Sequence, residues 1–474
     1  MKSMNNRLSI ALLLLAIGST LASCSKTSFL DKKPNTQLVV PTTLQDFQTL
    51  LDNQVVMQET PELGELSSDN YRMFYTTWTT LTAKSQNAYI WAQDIYGGQG
   101  KIPDWDFPYQ QVFYANVVLD GLHKIKVNES NRQQWNTIKG TALFIRAYAF
   151  YNLSQLFAPV YDATTASMDK GIALRLTSDV NEKSVRANVQ QTYDQILADL
   201  RQADSLLPEA LPAANLNRPS RPAVLAMLAR VCLSMQVYPQ AEAYANSSLQ
   251  LYSTLMDFNK LPYTTTSLPI SQSNQETLYQ SILYSGSEVL VGGSFKSVCI
   301  VDSNLYASYA PGDLRRAIFY RIGGQTGFPY LKASYSGKSY CFSGLAVDEV
   351  YLIRAECEAR AGNKNDALAD LNTLLVHRWT DTVVYNPITA ASASAALDSV
   401  LVERRKELAF RGLRWTDLRR LNKEGANITL SHGLNGQVYR LPPSSHNYVF
   451  YLPPDVLRLS GMQDYDNRVT INPN

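Results

Sequence analysis

Two stretches of the chain share one spacing of small residues across a short turn, and this spacing restricts how they can fold. In LARVCLSMQVYPQAEAYANSSLQLY, Ala229 and Ala241 lie twelve positions apart. In LIRAECEARAGNKNDALADLNTLL, Ala355 and Ala367 have the same separation. Small side chains at such positions allow two antiparallel helices, joined by a few residues, to cross closely. Each stretch is therefore predicted to be a helical hairpin.

Both hairpins resemble the helix–turn–helix unit of tetratricopeptide proteins. Their turns fall at Val237-Tyr238-Pro239 and at Gly362-Asn363. Two unrelated hairpins of any all-α protein would carry similar alanines, because alanine is common in helices. Units of this kind bury their apolar faces only by stacking on one another. We therefore expect a mainly α fold with minor β, in which tetratricopeptide-like helical hairpins form a frame that carries long irregular loops.

Apolar residues at helical spacing predict further helices outside the two hairpins. These helices are expected from Leu44 onward, over 141–160 up to Pro159, over 190–208, and over Leu397 to Phe410 with an end at Gly412. The stretches between them that lack sustained periodicity are expected to be irregular insertions packed on the frame, namely 61–110, 255–345 and 422–474. The sequence thus predicts one α-helical domain over 42–474, with halves of about 42–250 and about 270–474.

The N-terminal residues predict export and a lipid anchor. A basic start, an apolar core from Leu8 to Ile17 and small residues up to Ser23 form a secretory signal. The apolar core is shorter than the roughly 20 residues that a helix needs to span a bilayer. Leu21-Ala22-Ser23-Cys24 resembles the lipobox of bacterial lipoproteins, in which the thiol receives a diacylglycerol. We expect a signal peptide over 1–23, lipid attachment at Cys24 and a tether over 24–41. The alternative is a secreted protein in which Cys24 is incidental.

Composition excludes several classes of partner and cofactor. The net charge is +2 with no long run of one sign, which disfavours nucleic acid and anionic polymers. The cysteines beyond Cys24 are far apart and the four histidines are scattered, so neither a zinc site nor a redox pair is indicated, and no cofactor is expected. Cys299 and Cys341 lie in a loop-rich stretch and could form a disulfide in an exported protein. Buried free thiols are the alternative.

The C-terminal third carries the most specific string after the lipobox. ERRKELAFRGLRWTDLRRLNK, at 403–423, resembles the E-R-R-x-E-L-x-F-E-G-x-R-W-x-D-L-R-R motif of the SusD/RagB family. Further landmarks of that family occur in the right order along the chain: Phe29-Leu30-Asp31, Ser68-Asp69, Ala147-Tyr148-Ala149-Phe150-Tyr151 with Leu156-Phe157 and Pro159, Leu452-Pro453-Pro454, and Gln463-Asp464 with Tyr465. The resemblance spans nearly the whole mature chain.

This resemblance implies a function at the bacterial outer membrane. Members of the SusD/RagB family are non-catalytic lipoproteins of Bacteroidota that are anchored in the outer membrane and face the cell exterior. They are partners of a SusC-type TonB-dependent transporter, which they cap like a hinged lid. They bind an oligosaccharide, or in some relatives a peptide, and pass it inward. The expected function is therefore glycan binding for nutrient uptake, and a peptide-binding importer of the RagB type is the alternative.

The family motif also has a physical interpretation of its own. Its charges alternate in sign at helical spacing around Trp415 and Leu418, so arginine forks can bridge carboxylates on neighbouring helices. We interpret the motif as structural and not as a catalytic surface. Two positions depart from the family pattern: Arg411 stands where glutamate is usual, and Gln463-Asp464 replaces Gln-Asn. The first departure leaves one expected salt bridge in doubt.

Aromatic residues in two of the insertions predict the ligand site. The stretches 71–109 and 284–340 are rich in Tyr, Phe and Trp, whose rings can cover the C–H face of a sugar. Trp91, Tyr96 and Trp105 rank first, because glycines and Pro103 around them suggest a loop. The further candidates are Trp78, Tyr71, Arg72, Tyr284, Tyr306, Tyr309 and Tyr330. The competing interpretation is that these aromatics pin long loops to the frame.

An enzyme is the other class of function that the sequence raises. Asp104 and Asp106 flank Trp105 and could act as the carboxylate pair of a glycoside hydrolase. Such a pair must face each other at about 5–9 Å. The Asp-x-Asp pattern is common, however, and no nucleophile or metal motif supports it. An adaptor that holds a peptide or protein with its helical repeats is a third possibility.

Overall fold

Long helices occupy the parts of the chain in which apolar residues recur at helical spacing. The computed structural model describes residues 41–262, 268–292, 298–332, 334–465 and 468–473. Cys24, the signal sequence and nearly all of the tether lie outside these ranges. About 46% of the described residues are helical and about 10% are in strands, which confirms the predicted mainly α class. The residues from Thr43 onward form one compact unit.

The helices, in chain order, are α1 (Leu44–Leu51), α2 (Gln54–Met57), α3 (Leu63–Leu66), α4 (Tyr75–Trp78), α5 (Ala83–Tyr89), α6 (Pro103–Leu122), α7 (Arg132–Phe157), α8 (Val189–Asp204), α9 (Arg221–Ser234), α10 (Tyr238–Leu251), α11 (Ser303–Ala307), α12 (Arg315–Phe319), α13 (Val347–Arg360), α14 (Lys364–Val376), α15 (Ala393–Glu407), α16 (Arg414–Lys423) and α17 (Pro454–Ser460). Short 3₁₀ turns occur at Phe258–Lys260 and His446–Tyr448.

The frame is a continuous array of antiparallel helices. Helices α6, α7, α8, α9 and α10 pack each against the next, and α10 then packs against α13, which contacts α14 and α15. The two predicted hairpins are α9–α10 and α13–α14. The alanines that predicted them, Ala229, Ala241, Ala355 and Ala367, are all completely buried. The stacking of hairpins expected from the sequence is confirmed.

Several helix boundaries differ from the sequence prediction for identifiable reasons. Helix α7 begins at Arg132, earlier than the predicted 141, because Ile138 already belongs to its buried face. Helix α15 begins after Ser392, whose hydroxyl caps it, and ends before Phe410, whose φ of 61° is left-handed. Pro103, which suggested a loop, instead occupies the first helical position of the 20-residue α6. Proline is favoured there because that position donates no intrahelical hydrogen bond.

The strands are short, and two of their pairings, β1 with β6 and β2 with β7, join residues more than two hundred positions apart. They are β1 (Glu59–Thr60), β2 (Tyr71–Arg72), β3 (Lys170–Ala173), β4 (Arg186–Asn188), β5 (Thr277–Tyr279), β6 (Ile282–Leu283), β7 (Ile300–Val301), β8 (Tyr320–Ile322), β9 (Pro329–Leu331), β10 (Leu345–Ala346), β11 (Leu430–Leu434) and β12 (Gln437–Leu441). One sheet has four strands in the order β2-β7-β9-β8, and the other pairings have two strands. The predicted insertions therefore contain short helices and strands as well as irregular chain.

The family motif forms a buried network of ion pairs at the ends of α15 and α16. The Glu407 carboxylate accepts hydrogen bonds from Nη1 of Arg315 (3.0 Å) and Nε of Arg378 (2.8 Å). Burial alone would raise the pKa of Glu407, but the guanidinium groups of Arg378 and Arg315 lower it. Nε atoms of Arg404 and Arg420 each lie 2.9 Å from the Asp417 carboxylate. The predicted bridging role of the motif is confirmed by these contacts.

Arg411, the residue that departs from the family pattern, has its own partner. Its guanidinium forms a salt bridge with the buried Asp348 at the start of α13. The same group lies over the rings of Tyr335 (4.7 Å) and Phe342 (4.9 Å). Arginine at this position thus links the end of α15 to α13 through an ion pair that a glutamate could not form with Asp348.

The described residues hold no disulfide. Four cysteines are free and buried: Cys232, Cys299, Cys341 and Cys357. The possible disulfide between Cys299 and Cys341 is therefore not formed, and the alternative, buried free thiols, is confirmed. Burial raises the pKa of the thiols of Cys299 and Cys341, which keeps them protonated. Within the described ranges, no helix has the length and apolar character of a membrane span. No group of metal-binding side chains is found in the same ranges.

Asp69, which lies just before β2, connects this strand to the motif. Its carboxylate is bound by Nε of Arg414 (2.7 Å) and Nη2 of Arg405 (3.1 Å). Burial favours the protonated form, but the charges of Arg414 and Arg405 outweigh it and lower the pKa of Asp69 to about 2. A carboxyl group with a lowered folded-state pKa stabilises the fold above its unfolded pKa, and this stabilisation is lost as the pH falls through the folded pKa.

We expect Asp69→Asn to lower the free energy of unfolding by about 2 kcal/mol near neutral pH, because each pKa unit corresponds to about 1.4 kcal/mol. About half of this difference should remain near pH 3, since the carboxylate of the unfolded chain is then mostly protonated. Urea unfolding of both proteins at several pH values measures the difference. Asp398→Asn, at an exposed position of α15, is the control and should change little. A difference independent of pH would contradict the assignment.

Candidate functional site

The four-stranded sheet brings the two aromatic-rich insertions together. Strand β2 comes from the first insertion, and β7, β8 and β9 come from the second. Arg72 lies opposite Ile300, Ile300 lies opposite Tyr330, and Tyr330 lies opposite Arg321. Residues directly opposite each other in antiparallel strands point to the same face of a sheet. These four residues therefore form one row across the sheet, with an arginine at either end.

Residues on either side of this row point to the other face. Of these, Tyr71, Val301, Leu331 and Tyr320 are buried and belong to the core, whereas Ile322 at the β8 edge is 46% exposed. The hydroxyl of Tyr71 donates to the carbonyl oxygen of Leu66 at 2.7 Å. The sheet thus has an inner face packed largely on the protein and an outer face whose end residues, Arg72 and Arg321, are partly exposed, while Ile300 and Tyr330 between them are buried.

Exposed aromatic rings extend the outer face of the sheet. Phe74 and Tyr75, at the start of α4, are 41% and 42% exposed. The Tyr75 and Trp78 rings are stacked with centroids 5.8 Å apart and planes 22° apart. Phe328, before β9, lies 5.8 Å from the Phe74 ring and 4.4 Å from the guanidinium carbon of Arg72. We refer to Arg72, Phe74, Tyr75, Trp78, Phe328 and Tyr330 as the aromatic face.

A groove lies along the β8 edge of the same sheet. Its volume is about 760 Å³, and Tyr306, Arg316, Arg321 and Ile322 are among its lining residues. The guanidinium carbon of Arg316 is 4.5 Å from the centroid of the Tyr306 ring. Arg321, whose guanidinium carbon is 5.3 Å from the Tyr330 ring, belongs both to this groove and to the row of the aromatic face.

The first-ranked sequence candidates, Trp91 and Tyr96, lie in the protein core. Trp91 is 1% exposed, stacks on His432 with ring centroids 4.5 Å apart, and donates its indole N–H to the carbonyl oxygen of Ser67. Burial lowers the pKa of His432 and so keeps this stack neutral. Tyr96 is also buried, and its hydroxyl donates to the carbonyl oxygen of Tyr451. Neither ring offers a face to a ligand, and both pin the first insertion to the frame.

Trp105, the third first-ranked candidate, is a helix residue and not a loop residue. It lies in the first turn of α6, and its ring packs against Phe157 at 5.1 Å and Tyr109 at 4.5 Å. One edge of Trp105 reaches a second groove of about 660 Å³, which Phe113 and Leu459 also line. This groove shares no lining residue with the groove at the β8 edge.

The remaining candidates divide between the core and the surface. Tyr309 is buried, and its hydroxyl donates to the carbonyl oxygen of Lys406 at 2.8 Å. Tyr284 is half-buried, 5.8 Å from the ring of Phe107. Tyr306 is also partly exposed and lines the groove at the β8 edge. Of the ten sequence candidates, Arg72, Trp78 and Tyr330 belong to the aromatic face, where Arg72 and Trp78 are partly exposed and Tyr330 is buried.

The aspartates proposed for a hydrolase do not face each other across a cleft. Asp104 is buried, and its Oδ1 accepts hydrogen bonds from the N–H groups of Glu62 (2.7 Å) and Leu63 (2.8 Å). Its Oδ2 lies 3.2 Å from Nζ of Lys84. Asp106 lies two residues further along α6 and is exposed to solvent. Asp104 therefore holds the start of α3 in place.

Sequence reasoning missed part of the aromatic face. Three of its rings lie within the two aromatic-rich stretches but are not among the ten candidates: Phe74, Tyr75 and Phe328. Arg316 and Arg321 are also not among these candidates. One signal was available in the sequence: in YTTWTTLT, Tyr75 and Trp78 are three residues apart among threonines. On a helix this spacing places both rings on one side and leaves small polar groups on the other. The burial of these two rings therefore depends on other parts of the chain.

Comparisons with known proteins agree with the fold and with the motif. Residues 28–233 match a family model described as "Starch-binding associating with outer membrane", and residues 347–451 match the model of the SusD family. SusD-like protein P2 of Formosa agariphila is 26% identical over 416 residues, covering 76% of this chain and 78% of that protein. The chain belongs to the SusD/RagB family.

Solved structures of the family share the fold at low sequence identity. A SusD superfamily protein from Bacteroides vulgatus superposes with a TM-score of 0.71 and 19% identity, covering 91% of this chain and all 100% of that structure. A laminarin-binding SusD-like protein superposes with a TM-score of 0.61 and 17% identity, covering 90% of this chain and 99% of that structure. The helical frame described above is therefore that of the family.

The stability of variants can test which aromatic rings lie in the core and which lie at the surface. We expect Trp91→Ala to lower the free energy of unfolding by about 3–5 kcal/mol, because it leaves a cavity beside His432. Trp78→Ala, the matched control on the aromatic face, should change the free energy of unfolding much less. Urea unfolding measures both variants. Equal losses of stability in the two variants would contradict the placement of one ring in the core and the other at the surface.

Proposed function

We propose that this protein is a non-catalytic outer-membrane lipoprotein that binds an oligosaccharide on the aromatic face and delivers it to a SusC-type TonB-dependent transporter. The observation that carries the proposal is the exposure of Phe74 and Tyr75, with the half-buried rings of Phe328 and Trp78 beside them, on a sheet fixed to a rigid helical frame. Large aromatic rings at a surface usually find cover in the folded chain, so a patch of them points to a ligand.

Sugar rings suit this arrangement better than an extended peptide does. The C–H face of a pyranose stacks on an aromatic ring, and the rim of hydroxyl groups needs hydrogen-bond partners at the ring edge. On the aromatic face, the guanidinium of Arg72 lies over Phe328 and supplies several donors in one plane. The description of the matching family model as starch-binding, and the laminarin-binding relative, support the same class of ligand.

The contacts of the carboxylates close to the sheet support a binding function and not a catalytic one. Asp313, at the start of α12, is bound by Nε of Arg315 (2.8 Å) and lies 3.2 Å from Nζ of Lys406. Asp302, at the end of β7, accepts the N–H of Leu305 and lies 3.7 Å from Arg405. Burial alone would raise the pKa of Asp313, but the charges of Arg315 and Lys406 lower it. In both residues, these partners occupy oxygens that a general acid would need.

The aromatic face can be tested with oligosaccharides. We expect Trp78→Ala and Phe328→Ala each to weaken binding by about tenfold, because truncation of a stacked ring typically costs about 1–2 kcal/mol. The full-length lipoprotein, solubilised in detergent, is first screened against starch-derived, laminarin-derived and charged oligosaccharides together with a set of peptides. Calorimetric titration of the best ligand then measures the affinities.

Phe113→Ala is the control for this experiment, because Phe113 is an exposed ring (39%) on α6, in the second groove. It should leave the affinity unchanged. If only Phe113→Ala weakens binding, the site lies in the second groove and the proposed face is wrong. Binding of peptides without binding of any oligosaccharide would favour the RagB type of importer. Cleavage of a bound oligosaccharide by the purified protein would refute the non-catalytic role.

Membrane attachment through Cys24 is a separate part of the proposal. We expect Cys24→Ala to abolish labelling with palmitate and to release the protein from the outer-membrane fraction, because a lipid chain supplies about 0.8 kcal/mol per buried methylene. Fractionation of cells that produce each variant measures the distribution. Ser25→Ala is the control and should stay with the membrane. Retention of Cys24→Ala in the membrane fraction would contradict the anchor, and protease accessibility on intact cells tests the proposed outward orientation.

A further inference from the structure

Arginines in this protein occur in two different electrostatic settings. In the interior, they are neutralised by carboxylates: Arg315, for example, contacts Asp313, Glu403 and Glu407. At the sheet, by contrast, Arg72 and Arg316 form no salt bridge with any carboxylate of the described residues. Each lies on an aromatic ring instead, Arg72 on Phe328 and Arg316 on Tyr306.

Stacking on a ring leaves the edge of a guanidinium group available. The ring face interacts with the planar side of the cation, and the N–H groups lie in the plane and point away from the ring. Two or more of these N–H groups can therefore bind the oxygens of an anion side by side. Arg321, which lies over the Tyr330 ring, adds a third positive charge between Arg72 and the groove that Arg316 lines.

The acidic groups around this surface do not cancel these charges. Asp302 and Asp313 are engaged by Arg405 and Arg315, as described above. Glu288 accepts hydrogen bonds from the N–H (2.8 Å) and the hydroxyl (2.5 Å) of Thr82, the residue before α5. Arg72, Arg316 and Arg321 thus bring three positive charges to the aromatic face and the groove at the β8 edge, against the exposed Asp381 between the groove-lining Thr380 and Thr382. This is a local excess of positive charge, although the whole chain has a net charge of only +2.

We propose that the oligosaccharide bound by this protein is anionic, with carboxylate or sulfate groups that are held by Arg72 on the aromatic face and by Arg316 in the adjacent groove. This inference rests on the proposed function and specifies its ligand. Aromatic rings alone would serve a neutral glycan. Guanidinium groups that lie on aromatic rings at intervals along one surface can bind an oligosaccharide in which apolar sugar faces alternate with oxyanions.

A comparison of charged and neutral glycans tests the inference. The full-length lipoprotein in detergent is applied to an array of neutral oligosaccharides, oligogalacturonates, the methyl esters of the same oligogalacturonates, and sulfated galactan oligosaccharides. We expect the bound glycans to be anionic, with the uronates and the sulfated galactans distinguishing carboxylate from sulfate. The affinity should fall when NaCl is raised from about 50 mM to about 500 mM, because salt screens exposed charges.

Variants assign the effect to the named arginines. We expect Arg72→Gln and Arg316→Gln each to weaken binding of the anionic ligand by about tenfold, since a hydrogen bond to a charged group is lost. Arg132→Gln, at an exposed arginine at the start of α7, is the matched control and should have no effect. Circular dichroism and urea unfolding verify that each variant is folded.

The outcomes separate this inference from the proposed function. If neutral oligosaccharides bind through Trp78 and Phe328 and anionic ones do not, the inference is overturned and the proposed function stands. If anionic glycans bind but the two arginine variants bind them as well as the native protein does, the assignment to Arg72 and Arg316 is overturned. If no glycan binds, both the inference and the proposed function are wrong.

Discussion

The carboxylate of Glu407 is shared by the guanidinium groups of Arg315 and Arg378, and all three side chains are buried. Removing one member of such a buried ion pair typically costs about 3–5 kcal/mol, because the remaining charge keeps its burial and loses its partner. Arg315 opens α12, which leads directly into β8. The position of the outer sheet on the helical frame therefore depends on this interaction at the end of α15.

The same motif holds the opposite edge of the sheet. Arg405 and Arg414 bind Asp69, and two residues later the chain enters β2. One charged segment of the sequence thus positions strands that come from two distant insertions. Because the charges of the motif are directed inward and neutralised there, its contribution to ligand binding is indirect: it places the row from Arg72 to Arg321 on a rigid support. A site built on a rigid support binds without first having to order its own residues.

The sequence predicted the helical frame well, because its signal is local. Alanine spacing in α9–α10 and α13–α14, and apolar periodicity in α7, α8 and α15, depend on neighbours within one or two turns. The four-stranded sheet could not be predicted, since its strands have two or three residues each and β2 pairs with β7 across more than two hundred positions. For the same reason the sequence gives no sign that Arg72 and Tyr330 share one row.

The ranking of aromatic residues as ligand-binding candidates was wrong where residues distant in sequence determine whether a ring is exposed to solvent. Trp91 is flanked by residues typical of a loop, yet His432, from the β11–β12 hairpin, covers its ring. Trp105 was assigned to a loop because Pro103 is ambiguous between a loop and the first position of a helix. Tyr75 remains 42% exposed, and Trp78, whose indole N–H donates to the carbonyl oxygen of Gln86, is only half-buried. Which ring is covered is a tertiary property, and one sequence alone does not contain a local signal for it.

The most direct test of the whole account is a crystal structure of the protein with the oligosaccharide that binds most tightly. We expect sugar rings stacked on Trp78 and Phe328, with an oxyanion of the ligand within hydrogen-bond distance of Arg72. A ligand seated in the groove beside Phe113, or on any surface that does not include the outer face of the four-stranded sheet, would contradict it.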